Sequence, residues 1–240
     1  MSFFIINKSL DKKVLGHYPQ IKDIHHNCHI WDEPKFIEHI YFTKVDFEPI
    51  TSNAYLHSKA KQTDLIAATG MGFTLKLLLS GKLKSILEKY KLNGLQFFKS
   101  PIIQNNECND DYWVLNFYIS NMDYVDFQKS EIYLTENSFN MIERLYLNNY
   151  EEYTLKKQEI EKRGYPYGIL IDKFVLNCDI HDDFFLLKDV KGGVKYITSQ
   201  KLKQEIEDAG CTGIEFQPVE LSYNEWTAPG GEREKVYGKF

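Results

Sequence analysis

The chain reads as an α+β protein with a mixed or antiparallel sheet and flanking helices. Three observations predict this. An amphipathic helix feeding a short strand occurs twice, about residues 80–98 and 199–217; alternating apolar segments lie between the two; and the composition is that of an ordinary globular domain. With 43% hydrophobic and 26% charged residues over 240 positions, the chain can bury a core without disulfide staples.

The first unit opens on Ser80, a helix N-cap residue type. Leu83, Ile86, Leu87 and Tyr90 follow at i, i+3, i+4, i+7 spacing and put one apolar stripe on a helix. Asn93-Gly94 stops it, and Leu95-Gln96-Phe97 alternates as a strand before Pro101. The second unit repeats the order. Ser199 caps, Leu202, Ile206 and Ala209 form the stripe, Gly210 suits the C′ position, and Gly213 precedes Ile214-Glu215-Phe216. At a constant offset of 119 residues, Ser80/Ser199, Leu83/Leu202, Lys84/Lys203, Glu88/Glu207, Gly94/Gly213 and Phe97/Phe216 coincide without a gap. Periodicity alone requires neither the glycine nor the phenylalanine, so the match is read as an internal repeat within one domain.

The remaining elements are placed around these units. Phe3–Ile6 suits a short strand, and His25-His26-Asn27-Cys28-His29 is expected in a loop. Trp113, Leu115, Phe117 and Ile119 alternate as a strand, with Tyr124–Phe127 and Glu131–Leu134 continuing a meander. Phe139–Arg163 is expected as one helix, ended by Gly164 and Pro166. Gly168–Leu176 and Phe184–Leu187 read as strands, and Gly192-Gly193 as a turn. Residues 225–240 are polar and glycine-bearing, and read as a loosely attached tail. The organisation expected is one domain, with residues 1–62 a divergent N-terminal part and 63–220 the core.

Net charge is −5 with a pI near 5.8, which argues against a nucleic-acid partner, since phosphate binding needs a concentrated basic surface. Phe3–Ile6 is too short for a signal peptide and no window reaches the length of a membrane span, so the cytoplasm is the expected compartment. Cys28, Cys108, Cys178 and Cys211 are scattered and form no framework. His25, His26, Cys28 and His29 are metal-ligating types but lack a second pair at zinc spacing, so no metal site is expected. Gly70-Met71-Gly72 lacks the strand, helix and acidic residue of a dinucleotide site, and no cofactor is expected. No nucleophile elbow, P-loop or kinase signature occurs, and an enzyme is not expected.

One charge feature points to a partner. Ser100–Gln128 holds no Lys or Arg but carries Glu107, Asp110, Asp111, Asp123 and Asp126. Phe174–Leu187 is equally base-free and holds Asp179, Asp182 and Asp183. With Tyr112, Trp113 and Tyr124 nearby, these residues describe an acidic-aromatic face suited to a basic protein. The partner-binding candidates are Glu107, Asp110, Asp111, Tyr112, Asp123, Tyr124, Asp179, Asp182 and Asp183.

The order of several segments also resembles a known family. Asp64-Leu65-Ile66 precedes the first capped helix; Trp113-Val114-Leu115-Asn116 leads to Asp123-Tyr124-Val125-Asp126 and Lys129-Ser130-Glu131. Ile171-Asp172-Lys173-Phe174-Val175-Leu176, Phe184-Phe185-Leu186-Leu187 and the second unit complete the series. From 63 to 220 this is similar to the immunity-protein domain of bacterial polymorphic toxin systems. The resemblance implies a cytoplasmic antidote that binds a cognate toxin domain and blocks it sterically, with no catalytic residues to carry over. Two other readings are a small enzyme using carboxylates and histidines such as His181, Asp182 and Asp183, and a self-associating scaffold. The oligomeric state is left open.

Overall fold

A computed structural model describes residues 2–68, 75–138 and 140–239; Gly70-Met71-Gly72 lies outside the described residues. The chain begins β1 (Phe3–Lys8), α1 (Lys12–Leu15), β2 (Ile21–His26), β3 (Ser52–Leu56), β4 (Leu65–Ile66) and β5 (Leu77–Ser80). It continues α2 (Gly81–Tyr90), β6 (Leu95–Lys99), β7 (Ile102–Gln104), β8 (Glu107–Asn109), β9 (Tyr112–Phe117), β10 (Glu131–Glu136) and β11 (Asn140–Leu145). Then come α3 (Tyr150–Arg163), β12 (Tyr167–Lys173), β13 (Phe184–Val190), β14 (Gly193–Ser199), α4 (Gln200–Asp208), β15 (Ile214–Pro218), α5 (Tyr223–Thr227) and α6 (Glu232–Tyr237).

These strands form three sheets, ordered β11-β10-β12-β13-β14-β1-β15, β2-β3-β7-β8 and β4-β5-β9-β6. Pairing is antiparallel except for β12 with β13 and β3 with β7, so the expected α+β class with a mixed sheet holds. The two similar units agree beyond secondary structure. Leu65 pairs with Leu79 across β4 and β5, and Phe184 pairs with Thr198 at the matching place across β13 and β14. In both, the cap serine accepts from the third helical N–H, Leu83 or Leu202 at 3.2 Å. Each cap hydroxyl also donates to an aspartate 16 residues upstream, Ser80 to Asp64 and Ser199 to Asp183. Each aspartate is met by a lysine two residues past its cap, Lys82 at 3.3 Å and Lys201 at 3.8 Å. Lys84 lies over Phe97, and Lys203 lies over Phe216.

The fourth strand of each unit arrives differently. In the first, β9 follows later in the chain and lies between β5 and β6; in the second, β1 comes from the chain start and lies between β14 and β15. Tyr112 and Phe3 stand opposite the two cap serines in the same register. Alternation along these strands then sorts the core. Leu115 and Ile6 face a central cluster shared with Leu83, Leu87, Leu202 and Ile206. Tyr112 and Val114 face an outer cluster closed by β2, β3 and β7. Phe3 and Ile5 face a third cluster with Ile132, Tyr153 and Phe185. Leu83 and Leu202 are both fully buried, at equivalent places.

Four expectations are corrected. Tyr124–Phe127 does not continue the meander as a strand; Met122–Tyr124 is a short 3-10 turn instead. His25 and His26 lie on β2 rather than in a loop. The helix expected from Phe139 begins only at Tyr150: Asn137 and Ser138 take positive φ (51° and 69°) and reverse the chain, so 140–145 returns along β10 as a strand. Met141, Ile142 and Leu145 carry a helix-like spacing by coincidence. The C-terminal segment is docked rather than loose. Trp226 is 2% and Arg233 0% exposed, and Arg233 grips the buried Glu215 carboxylate at 2.6 and 2.7 Å. Polar composition hid this, because a buried arginine paired with a carboxylate carries the same letters as a solvated one.

Candidate functional site

Helices α2 and α4 pack antiparallel on the central core, as their contacts show. Lys82 at the start of α2 donates to the carbonyls of Ala209 and Gly210 at the end of α4 (3.4 and 3.1 Å). At the other end, Lys201 lies 5.0 Å from the Tyr90 ring centre. Glu205 clamps the pair, accepting from Tyr90 Oη and Lys89 Nζ. That hydrogen bond pushes the Tyr90 phenol up to about 12 and holds the Glu205 carboxyl below its usual value. The phenol is therefore a fixed donor at neutral pH.

The acidic candidates divide between the two ends of this helix pair. Glu107, Asp110 and Asp111 are exposed beside the start of α2, where the Asp111 carbonyl accepts the Gly81 N–H at 2.9 Å. Asp123, Tyr124, Asp179, Asp182 and Asp183 gather at the opposite end. There the loop after β12 is tied to the turn before β10 by Asn177, whose N–H donates to the Tyr124 carbonyl and whose side chain donates to that of Asp123. Asp123 and Asp179 are exposed. Tyr124 is half-buried edge-on against Phe185, and burial pushes its phenol up.

Space supplies the cations that the base-free runs lack. Lys99 approaches Asp110 at 3.7 Å, and Trp113 lies beneath both Lys84 and Lys99. Lys91, from the end of α2, pairs with Asp182 at 2.7 Å. Asp183 is occupied by the Ser199 cap. Tyr112 is a core residue, 3% exposed, whose hydroxyl donates to the Thr63 carbonyl at 2.9 Å; it braces β9 and presents no surface to a partner. Its alternation partner Trp113 is the ring that reaches the surface. The sequence signal for that choice is the strand period, which puts neighbours on opposite faces.

The residues weighed for chemistry are dispersed. His181 is exposed while Asp182 and Asp183 are engaged as above. His26 Nδ1 bonds Ser52 Oγ at 2.7 Å and His29 pairs with Asp32 at 2.8 Å, drawing the histidines apart. Among the described residues no group of three or more metal-ligating side chains converges, and no helix is long and apolar enough to cross a membrane.

The model of the Imm11 immunity protein family matches residues 3–221. The chain belongs to the Imm11 immunity protein family. A search of curated proteins found no match. The Imm11 match runs from β1 through β15, so it takes in the first sixty residues, which the resemblance read from 63–220 did not reach. Within the fold, β1 completes the second unit, and β2 and β3 close the outer core of the first. Helices α5 and α6 lie past the Imm11 match.

Proposed function

We propose that this Imm11 protein acts in the cytoplasm as a non-enzymatic antidote of a polymorphic toxin system, binding one cognate toxin domain and blocking it sterically. The family match over residues 3–221 carries the reading. Two further features support it. The paired units, read as an internal repeat, make a stiff support for α2 and α4, and rigid supports lower the entropic cost of binding. Glu107, Asp110, Asp111, Asp123 and Asp179 stand exposed at its ends, suited to steer a basic toxin surface.

The test is co-expression with the toxin domain encoded beside it. Rescue of growth and a one-to-one complex on gel filtration are expected; no rescue together with no complex refutes the antidote reading. Charge reversal of Asp110 and Asp111 should weaken binding at least tenfold more than reversal of Glu159 and Glu161 on α3, where Glu159 already pairs with Lys156 and Arg163. Equal affinities for the two variants remove the acidic contact surface while leaving the antidote role to the rescue assay.

A further inference from the structure

A cleft of about 390 Å³ opens between the turn joining β13 to β14 and the start of α5. Its size falls in the range of about 300–1,000 Å³ typical of small-ligand pockets. Three lysines line it from three backbone positions: Lys173 at the end of β12, Lys191 in the turn, and Lys195 on β14. Against them stands one lining carboxylate, Asp172, whose Oδ1 takes Lys191. Glu225, close enough to feel Lys173, is already committed to the α5 capping box.

Lys195 is the telling residue. It is half-buried, and burial pulls its ammonium below the usual lysine value. The one lining carboxylate, Asp172, is taken by Lys191, and no ion pair among the described residues reaches Lys195. Its Nζ lies over the turn at Gly192, where an added Cβ would come within 3.1 Å of it. Taking an unpaired ammonium partly out of water is unfavourable, and a bound anion reverses the sign. Phe174, Val219 and Tyr223 also line the cleft and add apolar and aromatic surface to it.

We propose that this cleft is a binding site for a small phosphate-bearing molecule with an apolar or aromatic body. Lysines act as point-charge donors to phosphoryl oxygens, and three of them at separate positions suit a dianion better than a single carboxylate. Phe174 and Tyr223 hold the body of the ligand, and Lys195 supplies the inner contact. The site lies on the large sheet away from the α2–α4 helix pair, so it stands or falls independently of the toxin contact.

The experiment is calorimetric titration of the full chain with inorganic phosphate and with adenosine monophosphate, at low ionic strength. Saturable binding at one site per chain is expected, with the nucleotide at least tenfold tighter than phosphate. Lys195→Gln should weaken both probes at least tenfold, and the exposed Lys191→Gln should weaken them several-fold without touching the core. Asp172→Asn should tighten both, because it releases Lys191; a merely structural role for these residues would not give opposite signs. Lys162→Gln on α3 should leave binding unchanged. No saturable binding of either probe overturns the site, as does binding unaltered in both lysine variants. Equal affinity for the two probes overturns the assigned apolar body.

Discussion

Glu38 and Lys76 share a corner under the first unit. Lys76 is 6% exposed, and among the described residues its ammonium donates to the Ile40 carbonyl alone, at 2.6 Å. Glu38 Oε1 is buried with no hydrogen-bond partner among the described residues. Burial pushes the Glu38 carboxyl up to about 7 against the pull of Lys76, and burial draws Lys76 down to about 8 against the pull of Glu38. The folded state thus binds more protons at Glu38 than the unfolded state between pH 4.5 and 7, and stability from this group falls as pH rises through that window. Lys76 acts in the other window: its penalty is full below pH 8 and is relieved toward 10.5. Glu38→Gln should therefore gain stability over the parent at pH 8 relative to pH 5.5. The gain is about 1–2 kcal/mol, below full conversion of the shift because the side chain keeps some solvent contact. Urea denaturation at the two pH values measures it; a gain equal at both means that Glu38 does not titrate between them.

Elements repeat this economy at larger spacing. The Ser80–Asp64 and Ser199–Asp183 pairs each join a helix start to the strand that opens the unit. Losing the hydroxyl removes a cap and leaves an aspartate short of a donor. Ser80→Ala and Ser199→Ala should each cost about 1–2 kcal/mol, and the double variant should show the sum, because the caps sit at opposite ends of the helix pair. A cost below about 0.3 kcal/mol at either site would show that the two caps are not equivalent. The caps, stripes and glycines were legible because each is a local requirement of helix or turn. The equivalence of β1 with β9 was not, since the two strands enter their units from different directions along the chain. The strand at 140–145 was not legible, because Met141, Ile142 and Leu145 fit a helical spacing, and Asn137 and Ser138 decide it by reversing the chain. At the candidate contact surface the acidic residues were legible as base-free runs. Lys91 and Lys99 were not, because pairing across helices and sheets leaves no mark in a linear charge count.

Across the whole molecule, Glu215 joins parts that are far apart in the chain. Its carboxylate sits on β15, 1% exposed, and accepts from Ser9 Oγ at 2.9 Å and the Leu10 N–H at 3.1 Å, just past β1. Arg233 on α6 completes the shell with a bidentate grip. The C-terminal helices thus neutralise a charge at the seam between the first and last strands of the family-matched region. Because β1 lies within the seven-stranded sheet, damage there reaches the central core as well as the terminus. Arg233→Met should cost about 3–5 kcal/mol by stranding a buried carboxylate. Adding Glu215→Gln keeps acceptors for Ser9 and Leu10 while removing the charge, and should recover more than half of that loss. The parent and both variants should unfold in one transition, with β1 amides exchanging at the global rate. Fraying of residues 222–239 alone in Arg233→Met, with β1 still protected, would show that the seam does not depend on the ion pair.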